Sequence, residues 1–127
     1  MSCLFDSFAM YFRKTGKHEF DSSTIRNLIC DYLYSNPLLI DDKKLSELIN
    51  GKTEDYIRKM RYKTTWGSAI EIRAACTIFR IIVIVRVLCS GKEIEFLPFH
   101  CKDERTIYTK VILAWTGSHY DYIHHYK

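Results

Sequence analysis

The middle of the chain contains the stretch IIVIVRVL, residues 81–88, which is almost entirely aliphatic and rich in β-branched side chains. Such side chains favour β-strands, and a short apolar run without polar alternation is typical of a strand covered on both faces. Its unbroken aliphatic part, residues 81–85, is far shorter than the roughly 20 apolar residues needed to cross a bilayer. The stretch therefore predicts the central strand of a sheet in a globular protein.

Further strand patterns follow toward the C-terminus. Residues 92–96 alternate polar and apolar side chains, which predicts a half-exposed strand, and residues 110–115 and 120–124 predict two more. Strands that are adjacent along the chain usually pair with each other. We therefore expect a mainly antiparallel sheet in the C-terminal part of the chain.

Helical spacing occupies the part of the chain before this sheet. Apolar residues recur every three or four positions in four segments, residues 3–15, 22–33, 53–60 and 68–79. Helices first and strands last predict an α+β fold, in which N-terminal helices cover the C-terminal sheet.

Polar residues mark where several of these helices begin. The second helix is expected to start at the Ser22-Ser23 cap, and Asp41 and Asp42 are expected to cap a shorter helix. The helix that starts at Ser68 has apolar residues on one face. We expect its charged residues Glu71 and Arg73 to face water.

Length and composition are those of an ordinary globular protein. The chain has 127 residues, of which 47% are hydrophobic and 27% charged, so we expect a single domain spanning residues 1–127. The N-terminus lacks the basic and then apolar pattern of a signal peptide. The expected location is the cytoplasm, and we expect a monomer with no membrane partner.

A histidine and a carboxylate stand two residues apart near the C-terminus, at His119 and Asp121. Alternate side chains of a β-strand point to the same side, so this pair shares a face while Tyr120 turns to the other. A carboxylate that holds one ring nitrogen leaves the second nitrogen in a defined tautomer, as a general base requires. The pair is therefore a candidate base with its orienting acid.

The candidate nucleophile is Cys3, at the start of the first predicted helix. A helix N-terminus offers free N–H groups and the positive end of the helix dipole, which stabilise a thiolate and an oxyanion. Cys3, His119 and Asp121 could thus form a Cys-His-Asp arrangement. Taken alone, a near-terminal cysteine and a strand histidine are more often structural, and this alternative stays open at this point.

Several short motifs occur in the order found in one family of cysteine proteases. The sequence resembles the ovarian-tumour (OTU) deubiquitinases in five pieces: Cys3-Leu4-Phe5 opening an apolar helix, Tyr56-Ile57-Arg58-Lys59-Met60, Trp66-Gly67-Ser68 before a helix containing Glu71, the strand at residues 81–85, and His119-Tyr120-Asp121. The resemblance covers nearly the whole chain, and the ordered set is more specific than any one piece.

The resemblance implies a papain-like fold and a thiol hydrolase that cuts the bond joining the C-terminal glycine of ubiquitin, or of a ubiquitin-like modifier, to a substrate. Carried over by position, Cys3 matches the nucleophile, His119 the general base and Asp121 the orienting acid. Trp66 matches a structural tryptophan, which we expect to be buried and to anchor the following helix. No cofactor is implied.

The short chain is also similar to the compact OTU domains of viruses. A viral source would place the protein in the host cytoplasm. The implied role there is to strip ubiquitin or a ubiquitin-like modifier from host proteins and so suppress innate signalling.

The chain departs from the family pattern just before the nucleophile. Relatives usually carry Asp-Gly-x there, whose amides help to form the oxyanion hole, whereas Met1 and Ser2 precede Cys3. Loss of one oxyanion donor costs about 100 to 1,000-fold in rate. The difference predicts weak activity, or alternatively a catalytically impaired module that binds ubiquitin without cleaving it.

The remaining cysteines and the basic residues suggest no second activity. The five cysteines include no Cys-x-x-Cys pair, so neither a disulfide framework nor a zinc site is expected. Cys30, Cys76, Cys89 and Cys101 are expected to be mostly reduced core thiols. The net charge is only +4, and the basic cluster at residues 58–63 lacks interleaved aromatics. Nucleic-acid binding is therefore a remote alternative, and no nucleic-acid partner is expected.

Overall fold

The computed structural model describes residues 3–99 and 107–127. Helices and short strands precede the main sheet, as the sequence pattern predicts. The elements in chain order are α1 (Cys3–Lys14), α2 (Ser22–Tyr34), β1 (Leu38–Ile40), β2 (Lys43–Lys44), α3 (Leu45–Leu48), α4 (Thr53–Met60), α5 (Ala69–Phe79), β3 (Ile81–Val87), β4 (Lys92–Phe96), β5 (Thr109–Trp115) and β6 (Tyr120–Tyr126).

The main sheet has the strand order β4-β3-β5-β6. β3 pairs antiparallel with β4, and β5 pairs antiparallel with β6. β5 lies parallel to β3, with Ile81 opposite Thr109 and Val87 opposite Trp115. The α+β class and the mainly antiparallel sheet are confirmed. The parallel pairing places β3 inside the sheet, as its apolar sequence predicts.

Burial explains why β3 can be so uniformly apolar. Ile82 and Val83 point to opposite faces of the strand, and both are completely buried. Helix α5 packs against β3, and helix α1 packs against β6 and α2. The helices thus cover the sheet. The first turns of α1 are thereby held beside the start of β6.

Helix α2 begins at Ser22 as predicted, but its cap lies one residue earlier. The N-cap of α2 is Asp21, whose carboxylate accepts a hydrogen bond of 2.8 Å from the backbone N–H of Thr24. Serine and aspartate are both good caps, so composition alone did not decide between adjacent positions.

One predicted helix start is wrong, because Asp41 and Asp42 lie in the turn between β1 and β2 and not at a helix cap. Asp41 has a φ of 53°, a left-handed conformation that aspartate tolerates better than most residues. Helix α3 begins only at Leu45, where the Glu47 carboxylate accepts a hydrogen bond from the Lys44 backbone N–H.

No helix in the described part of the chain is long and apolar enough to span a membrane.

Candidate active site

Cys3 is the first residue of α1, and its position follows from the residues that come next. Leu4 and Phe5 are 1% and 0% exposed, so they anchor the start of the helix in the core. The Ser7 hydroxyl donates a hydrogen bond of 2.7 Å to the Cys3 carbonyl oxygen. Cys3 itself is half-buried. Its thiol therefore lies at the end of the helix where the dipole favours negative charge.

His119 lies at the end of the turn that connects β5 to β6. The turn is closed by a hydrogen bond of 3.0 Å from the Thr116 backbone N–H to the His119 carbonyl oxygen. Gly117 within it has a φ of 101°, which a residue with a side chain rarely adopts. This turn sets where the imidazole emerges from the sheet.

Asp121 holds the imidazole from the same side of the strand. Its Oδ1 lies 2.9 Å from His119 Nε2, and both side chains are partly exposed. This contact occupies Nε2 and leaves Nδ1 as the nitrogen that can exchange a proton. The predicted pairing of the two residues on one face is present in the structure.

The three predicted site residues surround one surface cavity of about 300 Å³. The cavity lies between the first turns of α1 and the start of β6. The residues that line it are Cys3, Asp6, Ser7, Met10, His119, Tyr120, Asp121 and Tyr122. A thiol, an imidazole and a carboxylate that contact the same cavity can act on the same bound group.

Tyr120 forms part of the cavity wall and also packs against the protein interior. Its ring centroid lies 4.5 Å from that of Trp115. Burial raises the pKa of the Tyr120 hydroxyl, and electrostatic interaction with Cys3 and Glu71 raises this pKa further. The phenol therefore stays neutral beside the His119–Asp121 pair.

The prediction that Glu71 faces water is wrong, because its side chain is 0% exposed. Glu71 Oε1 accepts hydrogen bonds from the Ser68 backbone N–H, at 2.7 Å, and from the Ser68 hydroxyl, at 2.6 Å. The Tyr56 hydroxyl donates a hydrogen bond of 2.7 Å to Oε2. Ser68 and Glu71 form a capping box at the start of α5, in which the Glu71 carboxylate turns back toward the helix start instead of pointing outward.

Burial and hydrogen bonding act in opposite directions on this carboxyl group. Burial raises the pKa of Glu71, and the hydrogen bonds from Ser68 and Tyr56 oppose that rise. Burial is also the main reason why the pKa of the Tyr56 hydroxyl is raised, and the nearby Glu71 carboxylate raises it further.

Trp66 is not the buried anchor that the sequence predicted. Its side chain is 48% exposed. The contact with the core is made by the neighbouring Gly67, where an added Cβ would lie 2.5 Å from Leu4 Cδ2 and 3.2 Å from both Leu4 Cβ and Phe5 Cε2. Glycine lets the backbone approach α1 closely, and the tryptophan is left at the surface.

Arg26 is a buried charged residue that sequence reasoning missed. It is 3% exposed and donates a hydrogen bond of 2.7 Å to the Met60 carbonyl oxygen. Its guanidinium lies 4.1 Å from the centre of the Phe5 ring. Arg26 directly follows Ile25, which belongs to the apolar face of α2. The apolar pattern alone does not show whether an arginine beside this face is buried or lies at its solvent-exposed edge.

Only some of the cysteine predictions hold. Cys30 and Cys76 are buried free thiols, whereas Cys89 is exposed, and Cys101 lies outside the described residues. Burial raises the pKa of Cys30 to about 11 and that of Cys76 to about 12, so both stay protonated near neutral pH.

Among residues 3–99 and 107–127, no three His, Cys, Asp or Glu side chains are grouped as they would be around a metal ion.

Acidic partners offset part of the basic cluster at residues 58–63. Arg58 forms an ion pair of 3.1 Å with Asp55, and Arg61 forms one of 2.8 Å with Asp31. Two of the basic side chains that would have to contact phosphates are therefore paired within the protein.

Comparison with known proteins shows the family of this chain. A family model described as OTU-like cysteine protease matches residues 2–126. The chain is 33% identical over 122 residues to the ubiquitin thioesterase OTU1 of Mus musculus, an alignment that includes 94% of this chain. The chain spans about a third, 32%, of the length of that relative.

Solved structures with the same fold include an OTU domain in complex with ubiquitin, with a TM-score of 0.74 and 21% identity, over 95% of this chain and 62% of that one. The OTUD1 OTU domain aligns with a TM-score of 0.72 and 16% identity, over 99% and 79% of the two chains. An OTU deubiquitinase from Wolbachia pipientis wMel bound to ubiquitin aligns at 0.65 and 15% identity, over 96% and 89%. At these identities the likeness shows a shared fold, and the papain-like OTU fold expected from the sequence is confirmed. Together with the family match over nearly its whole length, this fold shows that the chain belongs to the OTU-like cysteine proteases.

Proposed function

We propose that this chain is a thiol-dependent deubiquitinase, which hydrolyses the bond after the C-terminal glycine of ubiquitin or of a ubiquitin-like modifier. The observation that carries the proposal is the cavity that Cys3 shares with the hydrogen-bonded pair His119 and Asp121. Membership of a cysteine protease family supports the reaction type. Two solved structures with this fold are bound to ubiquitin, which supports the choice of substrate.

The proposed reaction begins with proton transfer from the Cys3 thiol to Nδ1 of His119. The thiolate attacks the carbonyl carbon of the terminal glycine, and N–H groups at the start of α1 stabilise the oxyanion that forms. The imidazolium then protonates the departing amine, and a thioester to Cys3 remains. His119 next takes a proton from water, which attacks the thioester and releases the glycine carboxylate and the thiol.

Asp121 is assigned the role of orienting the imidazole. Its contact with Nε2 holds the ring and stabilises the imidazolium, and the carboxylate does not itself exchange the proton. The expectation of an incomplete oxyanion loop concerns Met1 and Ser2, which lie outside the described residues. We further propose that residues 1–127 act as one domain and as a monomer in the cytoplasm.

The proposal is tested with ubiquitin that carries an electrophile at its C-terminus. The probe is expected to label Cys3 and none of the other four cysteines, because the probe's tail delivers the electrophile to the cavity. The raised pKa values of Cys30 and Cys76 also keep these thiols unreactive. Mass spectrometry of the adduct identifies the labelled residue.

A matched pair of variants controls the probe experiment. Cys89→Ala removes an exposed thiol and should label like the parent, whereas Cys3→Ala should not label at all. Labelling that survives in Cys3→Ala would exclude Cys3 as the nucleophile. Ubiquitin binding without any labelling of the parent would support the alternative of a non-catalytic binding module. Probes built on ubiquitin-like modifiers identify the preferred substrate.

We propose in addition that the source is viral and that the activity suppresses innate signalling in the host. The viral OTU domain protease from Dera Ghazi Khan virus has the same fold, with a TM-score of 0.63 and 16% identity over 99% of this chain and 76% of that one, and this likeness supports the proposal. Cells that express the parent should contain fewer ubiquitin or modifier conjugates and a weaker interferon reporter signal than cells that express Cys3→Ala. Equal signals from the two would contradict this role.

A further inference from the structure

A buried polar cluster lies directly behind the start of α1. We call it the Glu71 cluster, and it consists of Glu71, Ser68 and Tyr56. Three donors converge on the carboxylate, at 2.6–2.7 Å: the Ser68 N–H, the Ser68 hydroxyl and the Tyr56 hydroxyl. Since Glu71 is 0% exposed, water cannot replace these partners. The carboxylate therefore sets the orientation of the peptide that joins Gly67 to Ser68.

This peptide is in contact with the two residues that follow Cys3 in α1. Gly67 approaches Leu4 and Phe5 so closely that a Cβ at this position would overlap Leu4 Cδ2. Leu4 and Phe5 follow Cys3 directly in the first turn of α1. A shift of the Gly67 backbone would therefore displace Leu4 and Phe5, and through them Cys3, to which Leu4 is directly bonded.

Phe5 is also held from a second direction. The Arg26 guanidinium stacks on its ring at 4.1 Å and is itself held by the Met60 carbonyl oxygen. Burial lowers the pKa of the Arg26 guanidinium, and the nearby Glu71 carboxylate opposes this by favouring the charged form of Arg26. The first turn of α1 is therefore set between the Gly67–Ser68 loop and Arg26.

We propose that Glu71 is a positioning residue, which acts through Ser68 and Gly67 on the first turn of α1 to set where the Cys3 thiol lies relative to His119. This inference rests on the proposed function for its role in cleavage. A well-packed apolar side chain could fill the same volume without the cost of burying a carboxylate. An apolar side chain could not accept the hydrogen bond from the Ser68 N–H. It would therefore leave the orientation of the Gly67–Ser68 peptide, and with it the contact of Gly67 with α1, unfixed.

The direct test compares Glu71→Ala with Glu71→Gln. Single-turnover cleavage of a ubiquitin substrate is expected to fall about tenfold in Glu71→Ala. A 1 Å misplacement of a reacting group can cost about 100-fold, and we expect the Cys3 thiol to move by less than that. The affinity for ubiquitin, titrated in a Cys3→Ala background, should change by less than about twofold, because a positioning loss acts on the chemical step. Glu71→Gln retains an oxygen that can accept from the Ser68 N–H and should recover most of the rate.

A second variant separates positioning from loss of stability. Leu39→Ala removes a buried side chain in β1 and is expected to destabilise the fold without slowing cleavage at temperatures where the protein is folded. If Glu71→Ala cleaves as fast as Leu39→Ala when both are folded, the positioning role is overturned. If Glu71→Ala does not fold, Tyr56→Phe, which removes one donor to the Glu71 carboxylate, serves instead, and a parent-like rate in this variant would overturn the positioning role.

A readout without ubiquitin keeps this test independent of the proposed function. The rate at which chloroacetamide alkylates Cys3 is measured against pH in the parent and in Glu71→Ala, with adducts resolved by mass spectrometry. A changed rate and pH profile supports the positioning role even if the parent fails to cleave ubiquitin, and that failure would count against the proposed function alone. An unchanged profile in folded Glu71→Ala overturns the positioning role.

Discussion

Replacing His119 by alanine is expected to lower the single-turnover rate of ubiquitin cleavage by about 10⁴-fold or more, as loss of the base in a catalytic triad does. The imidazole is the proposed acceptor of the Cys3 proton and the proposed donor to the leaving amine. Ubiquitin affinity should stay within about twofold, since the variant loses an interaction made in the transition state. Rapid-quench cleavage of a fluorogenic ubiquitin substrate measures the rate.

Two variants in β6, the strand that follows His119, complete this experiment. His124→Ala removes an exposed histidine that stacks against Tyr126 and should leave the rate unchanged. Asp121→Asn is expected to fold normally and to lose less activity than His119→Ala, because Asp121 orients the ring and does not exchange the proton. Parent-like cleavage by His119→Ala would exclude it as the base, and parent-like cleavage by Asp121→Asn would exclude the orienting role.

Gly67→Ala is expected to lower the free energy of unfolding by about 1–3 kcal/mol, the usual cost of overpacking a core. The added methyl group would lie 2.5 Å from Leu4 Cδ2, and Leu4 is only 1% exposed, so its side chain cannot turn toward solvent. Relief of the clash should displace the start of α1. We therefore also expect cleavage to fall about 100-fold, the cost of a displacement near 1 Å. Urea unfolding and single-turnover cleavage measure the two effects.

Gly91→Ala is the matched control, because it makes the same chemical change where there is open space. An added Cβ at Gly91 meets nothing within 4 Å, but its φ of 72° is left-handed. Backbone strain should therefore destabilise this variant by roughly 1–2 kcal/mol, while the cleavage rate of the folded protein stays at the parent level. A Gly67→Ala protein as stable and as active as the parent would show that the loop does not constrain the helix start.

Local sequence was sufficient wherever one kind of side chain dominated a segment. The β-branched run predicted β3 and its place inside the sheet. Prediction was less precise where neighbouring residues had similar propensities. Asp21 and Ser22 can both cap a helix, and Asp41 can serve either a cap or a left-handed turn, so packing decided these positions.

The sequence alone determined which residues could carry the chemistry of the site. A cysteine at a helix start and a His-x-Asp spacing on a strand are local features, and the contact between His119 and Asp121 at 2.9 Å follows from that spacing. Only the tertiary structure decided that Cys3 lies at the same cavity as this pair, and that Glu71 and Arg26 are buried while Trp66 is exposed. The physical reason is that periodicity reports which face of its own element a residue occupies. What covers that face depends on contacts between segments far apart in the chain, such as the approach of Gly67 to Leu4.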